Sequence, residues 1–584
     1  MEPHTYFSDR SIVNKKRYDA LRAFFYENCP ADEVARAYGY SLSSLYSLTR
    51  DFRKYLKQNP EGDFFFKNIT LGRKGKKNGD LEDIIINLRK HNFSAKDIVG
   101  IVNSKGYKVS YGYVYKLLSN EGFARLPRRS RPEVKRLELP EIKAAKAGTI
   151  KIKYEKFHSG TTGIFAMLPV IRKYGIDKII SGSFYPGTKD INKLSSILSF
   201  LALKLSKIKH FSDDNIWNMD RGMGLFAGLN VLPGSSWFAS YSGNVTYDMN
   251  LNFMKSLQDT WVKHGLLSDT CNLDLTSVPC WQDYKYLDNN GIENKNKAIS
   301  SMRVVLAQDP ESGIIDYGSN GLINENQSAV ALEYLNFSKQ TITGKHKINY
   351  LVFDSKFTNY ENLSKLDDGA IKFISIRRRG KNILEQANKN KNCQTLRLKT
   401  SGMRKRTIKV YDEYITLRGY RDENTKTLKQ IRQITILESC KAKPALIITN
   451  DFDLSTNAVI RKYCKREIVE KGISWQTEFF NFKRVSSQMV VKVDFDLIMT
   501  ILAHNIYMLF ARELGNYCEI SDDRIYEKFI ANNGFIEIKE SRIKIELKRK
   551  KESPQLIEMM KNFSDINYQW LDNMKIVFCP SSST

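Results

Sequence analysis

The spacing of apolar positions changes character along the chain. From Lys15 to Lys57 apolar residues recur at helical intervals in three blocks, Arg17–Glu27, Ala31–Tyr38 and Leu42–Leu56, separated at Pro30 and Gly39. Such blocks with tight turns predict a helix-turn-helix unit. Ala35 is small where two helices must cross, Gly39 stands where the turn needs positive φ, and Ser41 is placed to cap the third helix. The arrangement repeats at Asp80–His91, Ser94–Ser104 and Ser110–Ser119, after the basic run Arg73-Lys-Gly-Lys-Lys77. From 149 to 267 the pattern stays mainly helical, as in Asn192–Ile208 and Tyr247–His264.

Strands are expected next. Asn272–Val278 reads as a short strand carrying Asp274, and Arg303–Gln308 with Ile314–Tyr317 flank the turn residues Asp309-Pro-Glu-Ser-Gly313 as a hairpin. A helix over Asn326–Gln340 leads to the apolar strand Tyr350–Phe353, which ends on Asp354; a short helix at Tyr360–Leu366 and a strand at Ile371–Ile376 follow. Three antiparallel strands, helix, strand, helix, strand is the order of an RNase H-like sheet, in which Asp274 and Asp354 take neighbouring positions. The strand-like segments Thr395–Leu398, Arg406–Val410, Tyr414–Leu417, Gln430–Leu437 and Ala445–Thr449 read as a β-rich insertion before a helix that starts near Ser455 or Thr456. The fold class is therefore multidomain α/β. The expected divisions are a helix-turn-helix unit at 1–62, a basic linker at 63–79, a second unit at 80–126 and a second basic linker at 127–150. A helical domain at 151–267, the first part of the core at 268–377, the insertion at 378–457, the closing helices at 458–512 and a C-terminal region at 513–584 complete the chain.

Charge narrows the partner. The 584 residues carry a formal net charge of +28, with Lys and Arg spread along the whole length, so a polyanion is expected. A membrane is not, because no run of about 18 apolar residues and no N-terminal signal pattern is found. Eight cysteines without a Cys-x-x-Cys pair and seven dispersed histidines argue against a disulfide framework or a zinc finger, and a reducing cytoplasm is expected. The absence of a Gly-x-x-x-x-Gly-Lys-Ser/Thr order argues against an ATP-driven mechanism.

The candidate chemistry rests on three carboxylates in the order Asp274, Asp354, Glu470. Phosphodiester attack piles negative charge on an anion, and two cations about 3.5–4 Å apart relieve it at the nucleophile and at the leaving oxygen. Asp274 is expected to bridge both ions, with Asp354 on one and Glu470 on the other; Mg²⁺ suits hard oxygen ligands, and Mn²⁺ can substitute. Tyr463, Arg466 and Glu470 share one helical face, which offers a ring to a DNA end, a phosphate clamp and a metal ligand; an Arg466–Glu470 surface pair is the plainer reading. Glu467 points about 60° away from Glu470, given about 100° of turn per residue, and Glu478 lies beyond Gly472. Candidate DNA contacts are Ser44, Arg50 and Arg53 on the third helix and Tyr113 and Lys116 on the sixth. Arg128, Arg129 and Arg131 in a Pro-interrupted basic stretch, and Arg377 and Arg378 at the head of a cationic run, complete the set. A plain three-helix core and a charged linker are the bland alternatives.

At these residues the chain resembles DDE transposases of bacterial insertion sequences, in the branch with a Tyr, two residues, Arg, three residues, Glu signature. The resemblance runs from about Thr161 to Met559 and is carried by Gly224–Pro233, Leu273–Pro279, Leu351–Thr358, Ile371–Arg379 and Val493–Leu497. It implies a catalytic core interrupted by a β-rich insertion, metal-dependent cleavage at the element's terminal inverted repeats, transfer of 3′-hydroxyl ends to target DNA, and a homodimer holding two ends. The wider signature continues with Lys seven residues after the Glu, where this chain has Thr477. A nucleoid-associated cytoplasmic enzyme is the expectation; a nuclease without strand transfer and a DNA-binding regulator with an inert core are the alternatives.

Overall fold

The computed structural model describes residues 13–58, 65, 79–90, 93–123, 147–149, 152–208, 211, 217, 219–279, 301–320, 329–340, 346–378, 380, 383, 385, 393–399, 405–437, 444–466, 490–515, 517–518 and 520–581. They fall into two units, divided after Gly79. In the first, helices Val13–Phe25, Ala31–Ala37 and Leu42–Gln58 stand where the apolar spacing puts them. Gly39 has φ +63°, a conformation that L side chains resist, and Ser41 Oγ accepts the Ser44 N–H at 3.2 Å. Ala20, Ala23, Val34, Ala35 and Leu45 form the small core.

The second unit is built on a nine-stranded sheet. The strands among the described residues of this unit are numbered along the chain: β1 (Glu155–Ser159), β2 (Thr270–Pro279), β3 (Ser301–Gln308), β4 (Ile315–Ser319), β5 (Tyr350–Phe353), β6 (Lys372–Ile376), β7 (Gln394–Lys399), β8 (Lys405–Arg421), β9 (Leu428–Ile436), β10 (Ala445–Thr449), β11 (Gly534–Lys539), β12 (Arg542–Leu547), β13 (Asn567–Tyr568) and β14 (Met574–Pro580). The large sheet has the order β4-β3-β2-β5-β6-β10-β9-β8-β7. β2, β3 and β4 form an antiparallel meander, and β5 and β6 run parallel to β2. The two parallel steps are made through helices Val330–Lys339 and Tyr360–Asp368, since parallel neighbours need a crossover. Leu351, Val352 and Phe353 are fully buried, as a strand covered on both faces must be.

The strands from 394 to 449 do not fold into a body of their own; β10 pairs antiparallel with β6, and β9, β8 and β7 extend the same sheet. Two strands expected at Arg406–Val410 and Tyr414–Leu417 are one, Lys405–Arg421. The polar residues between them are satisfied across the ladder: Arg432 binds Asp412 at 2.6 Å and Gln433 donates to Glu413 at 2.6 Å. The region 151–267, expected to be helical, also supplies β1, which pairs with β11 in a five-stranded sheet, β1-β11-β12-β14-β13.

Helix Val490–Glu513 lies against β4, with Ile501 over Gly318, where a Cβ would overlap its methyl group. By length and apolar content Val493–Glu513 would pass for a membrane span, but 89% of that window is buried inside the protein. Asp494, Asp496 and His504 interrupt its apolar run. His504 is buried between two acceptors, with Nδ1 2.8 Å from Asp522 and Nε2 3.1 Å from the Gly313 carbonyl. Only the imidazolium donates from both nitrogens.

Helices Gly79–Lys90, Ala95–Ser104 and Tyr111–Asn120 belong to this unit; Ala95–Ser104 packs on helix Tyr247–Lys263, and Tyr111–Asn120 packs on Ala95–Ser104. Gly100 allows the close approach, because a Cβ there would overlap the Asp248 carboxylate. The Tyr247 N–H faces Asp97 at 3.5 Å, and Lys105 and Glu333 form a half-buried 2.9 Å ion pair.

Two outcomes follow from this packing. Gly163→Ala drives a Cβ into the Ile530 backbone carbonyl, and overpacking of this kind should cost about 1–3 kcal/mol in thermal or urea unfolding. At His504, burial lowers the pKa, but Asp522 and the Gly313 carbonyl outweigh it and the net direction is upward from 6.5. Its contribution to stability is then complete below the unfolded pKa and is lost as pH rises through the folded one. Unfolding of wild type and His504→Gln across pH should show a stability gap that narrows as pH rises; a gap independent of pH would mean that the ring stays neutral.

Candidate active site

The parallel register of β2 and β5 pairs Leu273 with Phe353. The next residue on each strand is an acid, so Asp274 and Asp354 stand level on adjacent strands, whose spacing is about 4.8 Å. Both are half-buried at the edge of a buried sheet. Asp354 ends β5 and starts a one-turn helix, Ser355–Phe357, by accepting the Ser355 N–H at 2.6 Å. That turn is tied to β6 by Thr358, whose hydroxyl lies 3.0 Å from Ser375 Oγ.

Helix Thr456–Cys464 brings the third contribution. β10 runs antiparallel to β6 and so ends at the opposite edge of the sheet, where Ser455 Oγ accepts the Ala458 N–H at 3.3 Å to start the helix. The helix returns across the sheet with Val459 and Ile460 buried against Val352, Ile374 and Ile447. Lys462 Nζ donates to Thr270 Oγ1 at 3.0 Å and sits 4.1 Å from the Tyr350 ring centroid, while Tyr350 hydrogen-bonds Asp451. One turn later Arg466 Nη1 donates to Asp274 Oδ1 at 3.3 Å. Arg466 is only 7% exposed, and its guanidinium lies 5.6 Å from the Tyr463 ring.

The structure thus brings Asp274, Asp354 and Arg466 to one edge of the sheet. Arg378 joins them, since its Nε donates to the Ser355 carbonyl at 3.2 Å. Arg377 turns the other way and binds Gln433 at 2.8 Å, and Tyr463 packs on the apolar cluster beneath the helix. Glu470, with Glu467, Thr477 and Glu478, lies outside the described residues, as do Arg128, Arg129 and Arg131. Among the described residues no three metal-binding side chains cluster. In the first unit Ser44, Arg50 and Arg53 are exposed on helix Leu42–Gln58; Ser44 bonds Ser41, and Arg53 lies 5.0 Å from the Phe25 ring. In the second unit Tyr113 and Lys116 are exposed on helix Tyr111–Asn120, where Tyr111 and Tyr115 stack at 6.2 Å. Sequence reasoning missed Lys462. Its signal was the spacing of four residues to Arg466, which puts both cations on one helical face.

No curated protein sequence matches the chain. A solved structure, the cryo-EM piggyBac transposase synaptic complex with hairpin DNA, aligns at 10% identity over 72% of this chain and 83% of that one, with a TM-score of 0.33, too low for the likeness to bear on the fold. Residues 273–506, less than half of the chain, match the family described as the transposase DDE domain, and that span takes in Asp274, Asp354, Arg466 and Glu470.

Proposed function

We propose that this chain is a DNA transposase that binds the terminal inverted repeats of its element, cleaves there and joins the 3′-hydroxyl ends to target DNA. The observation that carries the reading is the level placement of Asp274 and Asp354 on adjacent parallel strands within a segment matching a transposase DDE domain. The strand order around them is that of an RNase H-like core.

Two half-buried carboxylates side by side are the hard oxygen donors that Mg²⁺ or Mn²⁺ takes. Divalent cations held there would acidify the attacking hydroxyl and offset the charge that builds on the phosphorus. Asp274 and Asp354 fix the donors from rigid strand ends, and Glu470 is assigned as the third ligand. Arg466, which donates to Asp274, would take a phosphate oxygen near the reacting centre, and Arg378, which donates to the Ser355 carbonyl, a phosphate on the Asp354 side. The exposed residues Ser44, Arg50, Arg53, Tyr113 and Lys116 serve the two helical units as duplex contacts, with Arg128, Arg129 and Arg131 on the linker. Function as a homodimer on paired ends, in the nucleoid of a bacterial cytoplasm, completes the proposal.

Asp354→Ala should leave duplex binding intact and lower Mg²⁺-dependent cleavage by more than the about 10–100-fold that outer-shell partners of a metal site cost. Cutting by that variant at the wild-type rate would remove Asp354 from the mechanism. Supplying a pre-cut 3′-hydroxyl end to the wild-type protein separates the alternatives: joining to a second duplex is expected, and cleavage without joining would make it a nuclease.

A further inference from the structure

In the second unit, a groove of about 380 Å³ lies between the turn that follows β1, the end of helix Lys193–Leu205 and the segment after β12. Lys548, Arg549 and Lys550 line it together with Ser206, Tyr526 and Asn533, and among the described residues no carboxylate does. The acids nearby are engaged elsewhere: Lys207 holds Asp523 and Glu527, and Lys528 holds Glu552 at 3.0 Å. Three consecutive cations therefore share one concave surface without an acid among its walls.

The walls are fixed before any ligand arrives. The Asn532 side chain accepts the Lys548 N–H at 2.9 Å and donates to the Lys548 carbonyl at 3.1 Å, while its own carbonyl accepts the Thr162 hydroxyl at 3.1 Å. Lys550 Nζ donates to the Glu527 carbonyl at 2.7 Å, and burial lowers its pKa despite the carboxylates of Glu527 and Glu552. Arg549 is held through Nε by the Ser581 carbonyl at 3.1 Å, which occupies one of its five N–H donors. Ser206 is 7% exposed and its Oγ has no hydrogen-bond partner among the described residues. A buried hydroxyl without a hydrogen-bond partner among the described residues, in a groove walled by three cations and by no carboxylate among those residues, is a site short of an oxygen-rich anion.

We propose that this groove binds the phosphodiester backbone of DNA, away from the acids that do the chemistry. The choice of a polynucleotide over a small anion rests on the function proposed above and on the net charge of +28. The groove gives the protein a grip on a duplex segment that neither Asp274 nor Asp354 touches. It also assigns a task to the C-terminal region, whose sequence announces none.

The test is the salt dependence of duplex binding by the full-length protein without divalent cation. Each neutralised phosphate contributes about 0.9 to the slope of log K against log salt, so Lys548→Gln with Arg549→Gln should flatten it by about 1.8, and adding Lys550→Gln by about 2.7. The double variant keeps the Lys550 bond to Glu527, so an unchanged melting temperature separates lost contact from lost fold. Ser206→Ala should weaken binding without moving the slope. A wild-type slope in both multiple variants would overturn the groove as a DNA contact while leaving the transposase reading in place, whereas failure of the wild-type protein to bind any duplex would overturn that reading itself. Saturable binding of inorganic phosphate that is lost in the double variant, with duplex binding unaltered, would make it a small-anion site and overturn the proposal.

Discussion

Everything at the candidate centre depends on the parallel pairing of β2 with β5. Parallel strands start from the same edge, so residues at equal register end together at the opposite edge, and the pair Leu273–Phe353 forces the next two side chains to be neighbours. A slip of one residue would send one of the two acids to the other face of the sheet. The apolar run Tyr350–Phe353 prevents the slip, because Leu351, Val352 and Phe353 fill buried positions that no polar residue could occupy at acceptable cost. The hydrophobic core thereby sets the position of two charges.

Two carboxylates held level repel one another, and the chain answers with Arg466. The guanidinium reaches Asp274 because β10 ends at the far edge of the sheet and leaves a helix to climb back across it. Lys462 follows the same path one turn earlier, at the lower end of β2 and β5. The helix therefore delivers a line of positive charge along the seam between the two strands. In water such pairs are worth little, but Arg466 is buried and Asp274 half-buried, where charge balance matters more.

Much of this centre was legible in the amino-acid order. Strand periods, the Asp354 stop and the helix entered at Ser455 are local signals, and each lies where the residues imply. The long-range pairings were not legible. β1 is five residues with a mixed surface pattern, and its partner β11 lies near the other end of the chain, so no local rule could join them. β8 looked like two strands because Asp412 and Glu413 break its apolar rhythm; only the facing Arg432 and Gln433 show that the break is filled. The basic groove was invisible for the same reason, since its walls come from four separated stretches of chain.

The docking of helices Gly79–Lys90, Ala95–Ser104 and Tyr111–Asn120 on the body that carries the acids changes what such a module can be. A tethered reader samples many positions and tolerates DNA of varied length between its own site and the scissile bond. Here Gly100 against Asp248 and the half-buried Lys105–Glu333 pair remove that freedom. A duplex gripped on the exposed face of Tyr111–Asn120 would meet Asp274 and Asp354 at an offset set by protein packing. The module would then act as a ruler: base pairs inserted into the DNA between grip and cut would shift the cleavage position along the sequence instead of being absorbed by a linker.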